Sequence, residues 1–398
     1  MEDLGTALAD KSTNLCMLGG GQPAYCPDMM AVFQEELQKI ASSPERVQEV
    51  LGEYDPAAGN MEFRKALAQM FHELNQWDVT ADNIGLAAGG QSACFHLMNA
   101  LAGEGEHILV PLIPDYMGYR DQLVSGAEFM GIPGIAEIQE DFFRYRVDLE
   151  AVRQAPDSVR MMVLSRPTNP SGNVVTDAEV RALSEECKRR GIPLMIDHAY
   201  GEPFPNAVYV ETESFWQPHH IHLYSCSKLG LPGARTAMVV ACPQITQLLT
   251  NMTAVTSLAN PNLAQALTLD LIKQRTLPTL SAKYLKPFYQ EKCDYAVRTL
   301  KGLLADKVPY HLHAPEGAFF LWIYFPELPI PVQDLVERLK QNGVLVISGH
   351  WFFFGVDDNA TDHQHKCLRM TYSMETEEVT KGLERLTDTL VEVHRSKV

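Results

Sequence analysis

Between about residues 85 and 245 the chain alternates short apolar runs with helix-like segments, and this alternation constrains the fold more than any other feature of the sequence. Successive strands separated by helices are typical of an α/β domain built on a largely parallel sheet. We therefore predict such a domain, with strands at the apolar runs 108–112, 161–164, 192–196, 221–224 and 237–240.

One of the intervening helices carries clear start and stop signals. Thr176 precedes it as an N-cap, and the cationic residues Lys188, Arg189 and Arg190 come just before Gly191. Cations and a glycine stop suit the C-terminus of a helix, where backbone carbonyl groups lack partners. The segment between these signals is predicted to be one helix.

The end of the chain has a different pattern and predicts a second domain. Residues 332–342 and 375–393 read as helices, and 344–347 and 367–371 as strands. A chain of 398 residues usually forms two compact domains. We expect a large domain at 46–290 and a small α+β domain at 291–398. Residues 1–45, which have no sheet pattern of their own, are expected to form an N-terminal arm and part of the small domain.

Composition and charge narrow the possible partners. Acidic residues outnumber basic ones by 50 to 33, which argues against binding to phosphate backbones, so no nucleic-acid partner is expected. The eight cysteines form no C-x-x-C pair and read as reduced thiols. No apolar run is long enough to span a bilayer, and the start of the chain lacks the features of a signal peptide. We expect a cytoplasmic protein without a membrane partner.

Chemically suggestive residues follow the predicted strands directly. Tyr116 comes after the first strand, Asn169 after the second, Asp197 and Tyr200 after the third, and Lys228 after the fourth. Ligands of open parallel sheets collect at the carboxyl ends of the strands. Lys228 suits Schiff-base chemistry if burial and nearby cations keep part of its amine neutral.

Two further segments suit a phosphate group. Gly90 and Gln91 open an apolar helical stretch, where free backbone amides attract anions. Near Lys228, the hydroxyl groups of Ser225 and Ser227 and the guanidinium of Arg235 are suitable phosphate donors.

These residues belong to an ordered set of motifs that resembles class I/II aminotransferases of fold type I, which depend on pyridoxal 5′-phosphate (PLP). The resemblance runs from about residue 19 to 373 and follows these motifs in order: Gly21-Gln22-Pro23, Tyr54-x-x-x-x-Gly59, Gly89-Gly90, Asn169-Pro170-x-Gly172, Asp197-x-x-Tyr200, Ser225-x-Ser227-Lys228 and Arg369. Residues 166–172, 227–233 and 315–322 further resemble the branch that uses valine and pyruvate.

The resemblance implies a role for each cofactor-binding residue. Lys228 would hold the cofactor and then move the substrate Cα proton, while Asp197 would pair with the pyridine nitrogen. Asn169 and Tyr200 would bond the phenolic oxygen, and Tyr116 would stack on the ring. The phosphate would lie among Gly90, Gln91, Ser225, Ser227 and Arg235, with Tyr54 reaching it from a second subunit. That last role implies a homodimer with shared active sites.

The resemblance also places the substrate. Arg369 would bind the α-carboxylate as a bidentate fork, with the Gly21 backbone and Asn169 beside it. Aligning on Asn260-Pro261 puts Val255 where aspartate-type relatives carry an arginine for a distal carboxylate. A buried carboxylate without a partner is costly, so neutral substrates are expected. An apolar wall around the substrate is a further hypothesis, with a core role as the alternative for each of Tyr25, Trp351, Phe352 and Phe353.

Simpler interpretations exist for each residue alone. Asp197 could cap a loop, Asn169-Pro170 is a common turn, and Arg369 could be a charge on a strand face. Their joint order and placement at strand ends favour the functional interpretation. His198 is interpreted as structural, and His363 and His365 as solvated residues of a polar loop, so we expect no metal site.

The function predicted on this basis is PLP-dependent ping-pong transfer of the amino group between a small neutral amino acid, valine or alanine, and a 2-oxo acid, pyruvate or 2-oxoisovalerate. The alternatives are an alanine or aromatic aminotransferase that uses 2-oxoglutarate, and a PLP-dependent β-lyase. PLP-binding transcription regulators share this domain, but few residues precede the motifs here and the net charge is −17. That alternative is therefore poorly supported.

Overall fold

A computed structural model describes residues 15–395 of the chain. Its strands are β1 (Cys16–Met17), β2 (Ile84–Ala87), β3 (His107–Ile113), β4 (Glu128–Pro133), β5 (Ile135–Gln139), β6 (Phe142–Arg146), β7 (Val159–Ser165), β8 (Leu194–Asp197), β9 (His220–Ser225), β10 (Ala237–Val240), β11 (His311–His313), β12 (Phe320–Tyr324), β13 (Val344–Leu345), β14 (Ile347–Ser348) and β15 (Cys367–Thr371). Its α-helices are α1 (Pro27–Ala41), α2 (Pro44–Val47), α3 (Met61–Asn75), α4 (Gly90–Leu101), α5 (Leu149–Gln154), α6 (Asp177–Arg190), α7 (Pro243–Thr256), α8 (Leu263–Lys273), α9 (Thr276–Leu280), α10 (Lys286–Leu304), α11 (Val332–Gln341), α12 (His363–Lys366) and α13 (Thr376–Arg395).

The largest sheet confirms the predicted α/β architecture. Its seven strands have the order β2-β10-β9-β8-β7-β3-β4, and only β10 runs antiparallel to its neighbours. All five predicted apolar runs contribute strands to it, and the strands β8 and β9 are buried along their whole length. Burial on both faces explains their continuous apolar pattern, because helices cover both sides of such a sheet.

Helix α6 begins and ends where the capping signals predicted. The Thr176 hydroxyl accepts a hydrogen bond from Glu179 N, and the Glu179 side chain accepts one from Thr176 N, which together form a capping box. At the other end Gly191 has a φ of 68°, the left-handed conformation that glycine adopts readily.

A six-stranded sheet with the order β14-β15-β12-β11-β6-β5 forms the second layer of structure. Helices α10, α11 and α13 pack on it with the apolar residues Leu300, Leu335 and Leu386. Strands β5 and β6 come from the range predicted for the large domain. They nevertheless belong to this sheet, because β6 pairs in parallel with β11. The proposed domain boundaries stay a prediction.

Two local expectations differ from the structure. Residues 344–347 form two strands, because β13 pairs with β1 while β14 pairs with β15. The N-terminal segment does contain a strand, β1, whose two residues are too few to show a sequence period. Leu18 next to it packs in the core of the small sheet, whereas Phe33 of α1 packs against the large one.

Candidate active site

The carboxyl ends of β3, β7, β8 and β9 surround a cavity of about 300 Å³, here called the strand-end cavity. Twelve of the thirteen residues predicted for the site line it: Gly21, Gly90, Gln91, Tyr116, Asn169, Asp197, Tyr200, Ser225, Ser227, Lys228, Arg235 and Arg369. The predicted site residues are therefore brought together in one place, although they span almost 350 positions of sequence.

The thirteenth predicted residue, Tyr54, lies outside the cavity. Its side chain is 82% exposed, in the segment between the π-helical turn Gln48–Gly52 and α3. Tyr54 is therefore not brought to the cavity within the described part of the chain, and its role at the phosphate stays a prediction.

One end of the cavity is built for an anion. Helix α4 begins at Gly90, so its first backbone N–H groups point into the cavity end without partners from the helix. Arg235 lies beside this helix terminus, and its Nη1 donates to Ser227 Oγ (3.3 Å) and to Pro232 O (3.2 Å). Among the described residues no carboxylate pairs with Arg235, so its charge remains available to a ligand.

Gly89 allows Arg235 to approach the helix terminus. Its φ is 95°, a conformation that residues with a Cβ rarely adopt. A Cβ at this position would overlap Arg235 Nη2 and lie 2.9 Å from Arg235 Cζ. The glycine turn noticed in the sequence thus serves two purposes, the chain reversal and the room for the guanidinium.

Lys228 lies at the centre of the cavity. Its Nζ donates a hydrogen bond to Gly21 O and lies 5.5 Å from the centre of the Tyr200 ring. Burial lowers the pKa of Lys228 to about 8, helped by the positive charges of Arg369 and Arg235 and opposed by Asp197. A substantial fraction of its amine is therefore neutral and nucleophilic near neutral pH, as the sequence argument required.

Asp197 presents a buried carboxylate to the same space. Its Oδ1 accepts from Ala199 N (2.9 Å) and its Oδ2 from the Tyr119 hydroxyl (2.8 Å). Burial raises the pKa of Asp197, while these two donors and Lys228 oppose the rise. A carboxylate in this environment gains from a cationic partner, which a protonated pyridine nitrogen would supply.

Arg369 is fully enclosed, yet part of its guanidinium has no partner. Nη1 donates to Asn169 Oδ1 (2.7 Å) and Nη2 to Gly19 O (2.5 Å), whereas the buried Nε has no hydrogen-bond partner. The group packs against the rings of Phe320 and Phe352, with Cζ 4.3 and 5.0 Å from their centres. A buried cation without an anion is unstable unless a ligand supplies one.

Several other residues of the cavity were not predicted from the sequence. Cys94, Met117, Gly118, Ser165 and Ala199 line it as well, and Tyr119 lies behind Asp197. Tyr119 follows Tyr116 by three residues in the same strand-end loop, which was the available signal. Its contact with Asp197 depends on the spatial order of β3, β7 and β8, which the sequence does not show.

The rings beside the cavity are held by specific contacts. The Tyr116 hydroxyl donates to Gln91 Oε1 (3.2 Å), and Gln91 Nε2 donates to Gly118 O (2.8 Å). The Tyr200 ring meets Phe319 and Phe320 edge-on. Gln91 therefore connects the anion end of the cavity with the Tyr116 ring.

The hypothesis of an apolar wall is not supported for its four residues. Phe352 and Phe353 are buried core residues, while Tyr25 and Trp351 are 68% and 43% exposed, and none of the four lines the cavity. Phe352 instead packs against Arg369 from behind.

The prediction of two solvated histidines was wrong for His363. This residue is buried in α12, where its Nδ1 lies 2.7 Å from the Tyr145 hydroxyl and its ring stacks on Tyr324. His365, two residues later, is half-buried. Burial lowers the pKa of His363 to about 4, so it is neutral in the fold. His198 is also buried, and its Nε2 lies 2.9 Å from His222 Nδ1.

Neither a membrane-spanning helix nor a metal cluster occurs within residues 15–395. The helices in this range include none with the length and hydropathy needed to cross a membrane. The range also contains no group of three or more His, Cys, Asp or Glu side chains placed to hold a metal ion.

Comparison with known proteins decides the family. The family model for aminotransferases of class I and II matches residues 13–386. The chain belongs to this family. A valine–pyruvate aminotransferase from Escherichia coli strain K12 is 38% identical over 98% of this chain and 93% of its own length. The present aminotransferase therefore depends on PLP, as the family does, and acts on amino acids and 2-oxo acids.

Solved structures agree with this family assignment. A putative amino-acid aminotransferase from Psychrobacter arcticum has a TM-score of 0.96 and 36% identity, covering 99% of this chain and 95% of its own. Valine–pyruvate aminotransferase from Salmonella typhimurium has a TM-score of 0.91 and 36% identity, with 99% and 98% covered. Aspartate aminotransferase from Thermus thermophilus, at 21% identity and a TM-score of 0.80, shares the fold, which is fold type I.

The aminotransferase has residues that fit PLP along the whole cavity. An anion site at the α4 terminus, a nucleophilic amine at Lys228 and a buried carboxylate at Asp197 match the phosphate, the aldehyde and the pyridine nitrogen of the cofactor in turn. Arg369 lines the same cavity and pairs with no carboxylate among the described residues, so it can receive a second anion. These donors could therefore hold PLP and a carboxylate substrate together.

Proposed function

We propose that this aminotransferase exchanges the amino group of valine or alanine for the oxygen of a 2-oxo acid, pyruvate or 2-oxoisovalerate, by a ping-pong mechanism. Valine and pyruvate give 2-oxoisovalerate and alanine, so the net reaction needs no external oxidant or reductant. The observation that carries the proposal is the 38% identity over nearly the whole chain with a valine–pyruvate aminotransferase.

The charges in the cavity support a neutral side chain on the substrate. Its lining contains three cationic residues, Lys228, Arg235 and Arg369, within the described part of the chain. The first has the catalytic amine, the second lies at the phosphate end, and the third remains for the α-carboxylate. A second carboxylate on the substrate would have no cation of its own in this protomer, which is unfavourable in a buried site.

The proposed catalytic roles follow from the positions of three side chains. Bound PLP supplies an electron sink for the charge that develops at the substrate Cα. The Lys228 amine accepts the Cα proton and donates a proton in the following step. Its lowered pKa suits both accepting and donating. Asp197 keeps the pyridine nitrogen protonated, and Tyr119 and Ala199 N hold its carboxylate in place.

Other residues of the cavity would orient the two ligands. Asn169 and Tyr200 would bond the phenolic oxygen of PLP, and the Tyr116 ring would cover its face. Arg369 would bind the substrate carboxylate through its guanidinium, next to the Gly21 backbone. At the other end Gly90, Gln91, Ser225, Ser227 and Arg235 would surround the phosphate.

A homodimer would complete the phosphate site. Tyr54 is exposed together with Leu51 in the same segment, while Val255 is exposed in the last turn of α7 and Leu258 directly after it. The two segments are joined, because Asn260 Nδ2 donates to Ala57 O at 2.8 Å. Such an exposed apolar surface is typical of a contact with another subunit. We therefore propose that it meets a second copy and that Tyr54 reaches the partner's phosphate. A cytoplasmic location also stays a prediction.

The test is a two-substrate assay on the purified enzyme. L-valine with pyruvate should yield equal amounts of alanine and 2-oxoisovalerate, and L-alanine with 2-oxoisovalerate should give the reverse reaction. A clear preference for 2-oxoglutarate as the acceptor would favour the alanine or aromatic aminotransferase instead. Release of pyruvate from cystathionine without an acceptor would favour a β-lyase.

A further inference from the structure

Asp115 is a buried carboxylate directly behind the strand-end cavity, and the proposed reaction gives it no role. It follows β3 and is 1% exposed. Its Oδ1 accepts from Tyr116 N (2.6 Å) and from Ser165 Oγ, and its Oδ2 accepts from Ser165 N (3.0 Å). All three neighbours donate, and no cation pairs with Asp115 within the described residues.

This arrangement favours a carboxyl group over an amide. Burial raises the pKa of Asp115 to about 7, so the carboxylate predominates above neutral pH. The two backbone N–H groups, of Tyr116 and Ser165, can only donate, and they approach different oxygens of Asp115. An asparagine would place its NH₂ group against one of these N–H groups in either orientation. Two donors would then face each other in a buried site, which is unfavourable.

A first chain of contacts leads from Asp115 to Arg369. Ser165 Oγ, which donates to Asp115, accepts a hydrogen bond from Asn169 N (3.3 Å). The Asn169 side chain in turn accepts from Arg369 Nη1 (2.7 Å). The backbone of Asn169 is therefore fixed by Asp115 through a single hydroxyl group, and its side chain fixes the guanidinium.

A second chain of contacts leads from Asp115 to Arg369 through Phe352. The backbone N–H of Asp115 donates to Phe352 O (3.2 Å), and the Phe352 ring packs on one face of the Arg369 guanidinium with its centre 5.0 Å from Cζ. The Phe320 ring also packs against the guanidinium, with its centre 4.3 Å from Cζ. The Asp115 loop is thus connected to two groups that contact the guanidinium: the Asn169 side chain, which accepts from Nη1, and the Phe352 ring.

We propose that Asp115 is a positioning residue for recognition of the substrate α-carboxylate, acting through Ser165, Asn169 and Phe352 on Arg369. The proposal rests on the proposed role of Arg369 as the carboxylate-binding group. A bidentate Arg–carboxylate pair depends on the direction of two N–H groups, so a small rotation of the guanidinium weakens binding. Substrate binding should therefore depend on Asp115, although this residue does not touch the substrate.

The decisive variant is Asp115→Asn in the PLP-loaded enzyme, assayed above neutral pH, where Asp115 is ionised. The probe is 3-methylbutanoate, which has the carboxylate and side chain of valine but no amino group and cannot react. Calorimetry should show its Kd raised about tenfold, equivalent to about 1.4 kcal/mol, with a matching rise in KM for valine. In contrast, kcat and the affinity for PLP should change by less than about threefold, because Gln91 and Tyr119 hold Tyr116 and Asp197 independently.

Ser165→Ala provides a second test that does not depend on the stability of the first variant. It removes only the hydroxyl between Asp115 and Asn169, so the Kd for 3-methylbutanoate should rise by about threefold. In the double variant the two effects should be less than additive, because both substitutions break the same chain of contacts.

The matched control is Glu179→Gln. Glu179 is another buried carboxylate that accepts from a backbone amide, Val147 N, and from a hydroxyl, Thr176 Oγ1, but it lies at the start of α6 and outside the cavity lining. This variant should lose stability without a change in the Kd for 3-methylbutanoate. If Asp115→Asn and Ser165→Ala behave like this control, the proposed role of Asp115 is wrong.

Arg369→Gln separates this inference from the proposed function beneath it. Loss of 3-methylbutanoate binding in Arg369→Gln, with unchanged binding in Asp115→Asn, refutes only the positioning role. Unchanged binding in Arg369→Gln refutes the carboxylate site itself, and the positioning role with it.

Discussion

Replacing Gly89 by alanine should weaken the binding of PLP through its phosphate group. Gly89 has a φ of 95°, and a Cβ there would overlap Arg235 Nη2 and lie 2.9 Å from Arg235 Cζ. The guanidinium must therefore move away from the α4 terminus. It cannot keep its position by a change of the Gly89 backbone alone, because that turn also sets the direction of the first α4 amides.

The magnitude follows from the interaction that is lost. A hydrogen bond to a charged group contributes about 1.5 to 3 kcal/mol, and the lower end applies because the Arg235 side chain is exposed to solvent. A loss of about 1.5 kcal/mol raises the Kd for PLP about tenfold. With a ψ of 162°, Gly89 lies in a region that is essentially restricted to glycine, so the new alanine costs roughly a further 1 to 3 kcal/mol of folding stability.

The assay is a titration of the cofactor-free variant with PLP and, separately, with pyridoxal, which lacks the phosphate. Gly191→Ala is the control, since Gly191 has a φ of 68° but a Cβ there would have no neighbour within 4 Å. It should lose about 1 to 2 kcal/mol of stability, because Gly191 has the left-handed conformation, and it should keep the affinity for PLP. If Gly89→Ala binds PLP as tightly as wild type, or loses affinity for pyridoxal to the same extent, Arg235 is not a phosphate ligand.

Two further predictions concern buried groups. Tyr119→Phe removes the hydroxyl that donates to Asp197 Oδ2, and it should raise the Kd for PLP about tenfold with little loss of stability. An unchanged Kd in the same titration would show that the hydroxyl does not support Asp197. His363→Phe tests how a buried neutral histidine makes stability depend on pH. The pKa of His363 is lowered to about 4 in the fold, so below about pH 6.5 the unfolded chain binds one more proton than the folded chain. Wild type therefore loses stability as the pH falls. The stability of the variant relative to wild type should thus improve by about 2 kcal/mol between about pH 7.5 and 5 in chemical unfolding, and a difference independent of pH would contradict the buried neutral state.

The sequence was most informative where chemistry and local pattern coincide. The apolar runs of the large sheet, the capping signals of α6 and the residues at the strand ends all depend on short segments, and the structure brings twelve of the predicted site residues to one cavity. Neighbouring parallel strands end at the same edge, so residues at strand ends are close without any knowledge of their contacts.

Features that depend on the partner of a segment were not visible in the sequence. β6 joins the small sheet because it pairs with β11, more than 160 residues later, and its own pattern carries no sign of that choice. His363 is buried because Tyr145 and Tyr324 come from distant strands to meet it. The hydrogen bonds that Tyr119 donates to Asp197 and Ser165 donates to Asp115 likewise depend on the spatial order of the strands.

The central claim is that the strand-end cavity transfers the amino group of a neutral amino acid, with Lys228 moving the Cα proton. Its most direct test is the near-ultraviolet and visible absorbance of the PLP-loaded enzyme before and after addition of L-valine without an acceptor, for wild type and Lys228→Ala. We predict that valine and alanine, but not glutamate, shift the cofactor band of wild type, that pyruvate restores it, and that the variant shows neither change. A wild-type band that does not respond to valine or alanine, or a variant that responds as fast as wild type, would contradict the account.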